Sequence, residues 1–274
     1  MMTNLRIGFI GGGNMASALM AGLQKHMGEA ISLHVVDVND PILTGLASQF
    51  GASTSRQMDQ TLSQMDVVIF AVKPQQLHVA ALAFAPFLQQ QLVLSVAAGV
   101  RTDAISRSLQ GYRKIVRSMP NTPASIGLGM TGLFALDGVS EQDKARAQSI
   151  MQAVGETLWV ETEAMLDAVT AVSGSGPAYV FYLIEAMQAA AIELGFQPQQ
   201  AQQLALATFN GAAQMALQSD QAVSILRERV SSKGGTTYAA LCSMEESKVK
   251  DAISKAIHAA AVRGRELGDE FSLS

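Results

Sequence analysis

The stretch Arg6 to Ala16, R-I-G-F-I-G-G-G-N-M-A, constrains the fold more than any other part of the chain. Arg6 to Ile10 is rich in Ile and Phe and predicts a buried strand. Gly11-Gly12-Gly13 predicts a turn, and Met15, Leu19 and Leu23 then recur on one face of a helix over Asn14–Leu23. A strand, the turn Gly11-x-Gly13-x-x-Ala16 and a helix, in that order, hold the pyrophosphate of a dinucleotide. Gly11 allows the tight turn, Gly13 lets the backbone approach the phosphates, and Ala16 lets helix and strand pack closely. The free N–H groups and the dipole at the helix start face two negative charges. The candidate cofactor loop is thus Gly11, Gly12, Gly13, Asn14 and Met15. A second strand, Leu33–Val36, closes the βαβ unit and ends at Asp37. An acid there accepts hydrogen bonds from ribose hydroxyls. The alternative is a solvated residue in the turn Asp37-Val38-Asn39-Asp40-Pro41.

Strands and helices alternate up to about Val160. Val67–Val72, Leu92–Ala97 and Lys114–Ser118 read as strands, with helices over Gln75–Leu88 and Thr102–Leu109. Met130–Ala135 and Thr157–Val160 read as short additional strands around a helix over Glu141–Val154. Such alternation predicts an α/β fold, a parallel sheet with helices on both faces. Beyond Glu163 the β pattern disappears. Helices are expected over Asp167–Val172, Ala178–Leu194, Pro198–Gln218, Ala222–Val230, Tyr238–Met244 and Lys248–Gly268, punctuated by Gly174-Ser175-Gly176-Pro177, Gly195, Pro198 and Gly234-Gly235. The expected domains are 1–162, binding dinucleotide, and 163–274, all helical. The Ala-rich faces and limited size of the helical part favour self-association.

The net charge of −4 gives no sign of a nucleic-acid partner. Cys242, the single cysteine, excludes an internal disulfide, has no metal-ligand partners nearby and reads as a small buried side chain. Met1–Leu5 runs straight into the first strand, leaving no room for a signal peptide. No apolar run is long enough for a membrane span. A soluble cytoplasmic protein is expected.

Ligands of open parallel sheets bind beyond the carboxyl ends of the strands. Besides the glycine turn, three loops lie there. Ala71-Val72-Lys73-Pro74 offers a lysine to phosphate or ribose, and Pro74 suits a helix start. Ala97-Ala98-Gly99 leaves space for a flat cofactor ring. Met119-Pro120-Asn121-Thr122-Pro123 holds the Asn121 amide rigidly between prolines. In the helical half, Ser231-Ser232-Lys233-Gly234-Gly235-Thr236-Thr237 lies between two helices. Its glycines let backbone N–H groups converge on a carboxylate-sized anion, with hydroxyls alongside. The alternative is a turn in which Thr236 or Thr237 caps the next helix.

Together these motifs resemble the Δ1-pyrroline-5-carboxylate reductase family over nearly the whole chain. The segments concerned are Ile7–Ala16, A-V-K-P (Ala71–Pro74), A-A-G-V (Ala97–Val100), M-P-N-T-P (Met119–Pro123), S-G-S-G-P-A-Y (Ser173–Tyr179) and S-K-G-G-T-T (Ser232–Thr237). The first is shared by many dehydrogenases, whereas the last three in this order are specific. The resemblance implies a Rossmann-type domain followed by a helical dimerisation domain. It implies reduction of the C=N bond of a cyclic imino acid to L-proline, with hydride from NADPH or NADH and no metal. It also implies a homodimer, often assembled into a decamer. Ser232, Gly234, Gly235 and Thr236 would bind the substrate carboxylate, and Thr237 the ring nitrogen as the catalytic hydroxyl. Glu163 and Asp220 would lie close to the substrate.

Two departures stand out. Many relatives have Pro where this chain has Lys233. Asp37 stands where many relatives place residues suited to a 2′-phosphate, and would repel that group. Asn39, Ser53, Ser55 and Arg56 are candidates to compensate. Two rival readings are a β-hydroxyacid dehydrogenase and a redox-sensing nucleotide-binding protein. The first needs a lysine on the helix after the Ser-Gly loop, where this chain has Val180-Phe181-Tyr182-Leu183. The intact Gly234–Thr237 segment argues against the second.

Overall fold

The computed structural model describes residues 4–272. The predicted opening is present: β1 (Leu5–Ile10) and α1 (Asn14–Met27), then β2 (Ile31–Val36). There follow α2 (Asp40–Phe50), β3 (Ser53–Ser55), β4 (Val67–Phe70), α3 (Pro74–Phe84), β5 (Leu92–Ser95), α4 (Thr102–Ser108) and β6 (Ile115–Met119). The sheet is completed by β7 (Gly129–Ala135), α5 (Glu141–Gln152) and β8 (Gly155–Trp159), in the order β3-β2-β1-β4-β5-β6-β7-β8. Of the segment Met1–Leu5, the first three residues lie outside the described residues.

Burial explains the unbroken apolar strands. Ile7, Phe9, Val67, Ile69, Leu92 and Leu94 enter one core, while Ile10, Val68, Phe70 and Val93 enter the core on the opposite face. A strand covered on both faces has no polar side to show. One pairing departs from the expected parallel sheet: β7 runs antiparallel to β6, and β8 is parallel to β7.

Two further differences have local causes. The turn expected at Asp37–Pro41 is the entry to α2. The Asn39 side chain accepts the N–H of Ile42 at 3.4 Å, Pro41 sits in the first turn, and Leu43, Leu46 and Phe50 are buried. The break expected at Gly174–Pro177 is only a bend. After α6 (Ala164–Val169) the chain continues as a π-helical turn over Thr170–Gly174 into α7 (Gly176–Glu193). Proline near a helix start forfeits no helical bond.

Contacts divide the chain into two compact units. One holds the sheet, its helices and the chain from Ala260 onward, and the other is Gly176–Ala259. The second contains α7, α8 (Pro198–Leu217), α9 (Val223–Arg229), α10 (Thr236–Glu246) and the first part of α11 (Val249–Ser272). Its α7 and α8 pack together, yet only Ile184, Ala201 and Ala205 are buried among its residues. Phe181, Tyr182, Leu204, Leu206, Met215 and Leu217 stand exposed. Cys242, expected to be buried, is half-buried. Among the described residues no helix is long and apolar enough to cross a membrane.

Candidate active site

The three glycines of the first turn have separate physical roles. Gly11 sits at φ +98°, and a Cβ there would lie 2.8 Å from the backbone of Ala71. At Gly12 a Cβ would meet Ile42 Cγ2 at 2.7 Å and Leu46 Cδ1 at 2.8 Å, so this glycine lets α2 pack against the turn. At Gly13 a Cβ would meet nothing within 4 Å. Gly13 is also the N-cap of α1 and supplies no side-chain cap. The turn therefore presents open space at a helix start whose N–H groups lack a side-chain acceptor, as a pyrophosphate requires. Asn14 is exposed and Met15 half-buried beside it.

Asp37 is used in a way the sequence did not suggest. Its Oδ2 accepts the N–H of Gly12 at 2.7 Å and its Oδ1 accepts the N–H of Asn39 at 2.9 Å. The half-buried carboxylate is a brace between the glycine turn and the α2 entry, and each of its oxygens keeps a further lone pair. Arg56 pairs with Asp40 at 3.2 Å nearby.

At the next strand end, Ala71 and Val72 are half-buried, Val72 lying against Gly11. Lys73 is the N-cap residue before Pro74, is exposed, and has no carboxylate partner among the described residues. Ala97 is buried and Ala98 half-buried. At Gly99 the side on which a Cβ would stand is taken by the chain itself. A Cβ there would meet the Phe271 ring at 3.2 Å and Leu267 Cβ at 3.6 Å. Asn121 is held by hydrogen bonds within the protein. Its amide nitrogen donates to the Ser173 carbonyl at 3.0 Å and its amide oxygen accepts the Met130 N–H at 2.9 Å. The side chain pins its own loop to neighbouring elements.

Glu163 belongs to a cluster that sequence reasoning missed. Its Oε1 accepts the Thr102 N–H at 2.7 Å and its Oε2 accepts the Thr102 hydroxyl at 2.9 Å. Arg117 Nη1 donates to Oε1 at 3.1 Å, and Arg117 Nη2 lies 3.6 Å from Asp167. Arg117 is only 2% exposed. The carboxylate of Glu163 thus caps α4 and neutralises a buried guanidinium. An arginine within the apolar strand I-V-R-S-M was the available signal, since such a residue needs buried partners.

In the helical unit the loop before α10 closes on itself as a tight turn, with one of its glycine N–H groups used inside the loop. Gly234 sits at φ +78°, and Gly235 donates its N–H to the Ser232 carbonyl at 3.0 Å. A Cβ at Gly235 would meet Ser232 Oγ at 2.7 Å and the Ser232 carbonyl oxygen at 3.1 Å, so a side chain there would shift the serine. Gly235 is itself the N-cap of α10 and gives no side-chain cap. Thr236 and Thr237 are the first two helical residues, so the alternative in which either caps the helix is corrected. Ser232, Lys233 and Gly234 are exposed and Thr237 is half-buried. Asp220 is exposed between α8 and α9, and no hydrogen bond joins it to the loop among the described residues.

Comparison with known proteins settles the family. A reductase of Pseudomonas aeruginosa named pyrroline-5-carboxylate reductase is 40% identical over 271 residues, covering 98% of this chain and 99% of that protein. The chain belongs to the pyrroline-5-carboxylate reductase family. The family's dimerisation model matches residues 163–267, and a model described as NADP oxidoreductase coenzyme F420-dependent matches residues 6–99. A solved pyrroline-5-carboxylate reductase of Coxiella burnetii superposes with TM-score 0.90 at 40% identity, covering 97% of this chain and 99% of that one. The Plasmodium falciparum pyrroline carboxylate reductase, solved with NADP bound, gives TM-score 0.85 at 27% identity, covering 98% of this chain and 100% of that one.

Proposed function

We propose that this chain reduces Δ1-pyrroline-5-carboxylate to L-proline with NAD(P)H, the final step of proline biosynthesis. Full-length identity of 40% to a reductase of that name carries the reading. The β-hydroxyacid dehydrogenase and sensor alternatives are not favoured.

The residues suit the chemistry. The glycine turn, with Asn14, Met15 and the α1 start, would hold the pyrophosphate over the open face of Gly13. Lys73, exposed and with no carboxylate partner among the described residues, would meet phosphate or ribose beside Ala71, Val72 and Pro74, with Ala97, Ala98 and Asn121 shaping the other strand ends. Bound NAD(P)H supplies the hydride that the imine carbon accepts. The nest of Ser232, Gly234, Gly235 and Thr236 would hold the substrate carboxylate, with Lys233 adding a positive charge. The Thr237 hydroxyl would hydrogen-bond the ring nitrogen and keep the imine oriented. A protonated imine is already electrophilic, so orientation supplies much of the catalysis. Glu163 acts here at one remove, by fixing α4 and Arg117, and Asp220 is assigned to the edge of the substrate pocket.

The exposed apolar residues of α7 and α8 support a homodimer built on the helical unit, and assembly to a decamer and a cytoplasmic location belong to the same proposal. The test is an assay of purified protein with pyrroline-5-carboxylate and either NADH or NADPH, scoring cofactor oxidation and L-proline formed. No proline with either cofactor would overturn the reading.

A further inference from the structure

The last turns of α11 lie against the loop that follows β5. The Phe271 ring and Leu267 occupy the space above Gly99, which holds φ +79°. One turn of side chains along, a Cβ at Gly268 would meet Arg101 Nε at 3.1 Å and the Gly99 carbonyl oxygen at 3.5 Å, so helix backbone and loop are in close approach. Arg101 Nη2 also donates to Asp269 Oδ1 at 2.8 Å. Three independent contacts therefore hold residues 99–101 from one side, and Arg101 leads directly into α4. Of the four contributing helix residues, Gly268, Asp269 and Phe271 lie beyond the segment that matches the family's dimerisation model.

We propose that the end of α11 is a strap that positions the Ala97–Arg101 loop for the cofactor, with Phe271 as its main positioning residue. This rests on the reading that Ala97-Ala98-Gly99 borders the cofactor. A glycine loop at positive φ has many conformations open to it. Covering it on one face with an aromatic ring leaves fewer, and the ordering cost of binding then falls. The ring does what a side chain at position 99 cannot, because that backbone conformation excludes one.

The experiment measures NADPH affinity and steady-state kinetics for Phe271→Ala, for a chain ended after Glu266, for Phe271→Tyr and for Ala98→Leu. Melting temperature and dimer content are recorded alongside, and affinities are taken well below melting. Phe271→Ala and the shortened chain are expected to weaken NADPH about fivefold to tenfold, within the usual range of coupling between sites. Their KM for NADPH should rise while KM for the imine stays near wild type. Phe271→Tyr should restore binding, and Ala98→Leu should weaken it by obstructing the loop. A purely structural ring would lower the melting temperature and leave the affinity of the folded protein unchanged. If Ala98→Leu weakens NADPH while both strap variants bind like wild type, the strap is overturned and the loop reading stands. If Ala98→Leu binds normally, the loop reading falls and the strap falls with it.

Discussion

The carboxylate of Asp37 accepts the backbone N–H of Gly12 at 2.7 Å, tying the end of β2 to the middle of the glycine turn. A second backbone N–H, from Asn39, takes the other oxygen. A carboxylate at this strand end usually discriminates between ribose and its 2′-phosphate. Here the carboxylate also braces the turn that would hold the pyrophosphate.

Asp37→Ala should therefore weaken both cofactors together. A hydrogen bond to a charged group is worth about 1.5–3 kcal/mol, or roughly tenfold to a hundredfold if fully expressed in binding. Dissociation constants for NADH and NADPH should rise by similar factors. A large change in their ratio with little change in the better one would show that Asp37 sets preference instead.

The glycines of the turn should separate by phenotype. Gly13→Val puts a side chain into open space, so the protein should fold normally and lose NAD(P)H binding. Gly12→Val drives a side chain into Ile42 and Leu46, so it should cost about 1–3 kcal/mol of stability by overpacking. Thermal melting and cofactor titration of the pair check this. Wild-type affinity in folded Gly13→Val would remove the turn from the cofactor site.

How much was legible in the sequence follows from the range of each interaction. The β1–turn–α1 unit was readable because strand, glycines and amphipathic helix are adjacent. The glycine loop before α10 was readable for the same reason. α2 was hidden by Asp37–Pro41, where the residues of a turn are also those of a helix start, Asn39 as cap and Pro41 just inside. Asp37 and Asn121 were found as polar residues at strand ends, and Glu163 through the family resemblance. Their partners lie 25, 52 and 61 residues away, at Gly12, Ser173 and Thr102, and spacing cannot show them. Phe271 over Gly99 was invisible for the same reason. A glycine reads alike whether a cofactor or the chain's own ring fills the space above it.

Arg117 tests the cluster around Glu163. Arg117→Met leaves Glu163 and Asp167 beside an apolar group with no buried cation. Breaking a buried pair from one side costs about 3–5 kcal/mol. Urea unfolding should show a loss of that order. Glu163→Gln should cost less, since its amide oxygen still accepts the Thr102 N–H. An Arg117→Met protein as stable as wild type would mean that the cluster is solvated in solution.

His34 should make stability fall on mild acidification. It is 3% exposed, its Nδ1 meets Ser53 Oγ at 2.9 Å, and burial pushes its pKa below the ordinary 6.5. The unfolded chain then binds a proton before the folded one does. Stability is full above about pH 6.5 and declines as pH falls from there through the folded pKa. His34→Asn keeps a polar atom near Ser53 without titrating. Its loss of stability between pH 7.5 and 5.5, read by urea midpoints, should be smaller than that of wild type, and equal losses would exclude His34 as the source.

Thr237 is the second residue of α10, and the N-cap before it is Gly235. Replacing Thr237 therefore removes no helix cap, which separates a catalytic effect from a structural one. If its hydroxyl holds the imine nitrogen, Thr237→Ala loses one hydrogen bond to a charged partner, about 1.5–3 kcal/mol, or roughly tenfold to a hundredfold in kcat/KM. The loss should appear with pyrroline-5-carboxylate, while NAD(P)H affinity and melting temperature stay close to wild type. Thr237→Ser keeps the hydroxyl and should recover much of the rate. Gly235→Ala provides the contrast: its Cβ would meet Ser232 Oγ at 2.7 Å, so it should disturb the nest and raise KM for the imino acid. Full activity in Thr237→Ala would exclude the hydroxyl and direct the search for the nitrogen's partner to Asp220, the exposed acid between α8 and α9.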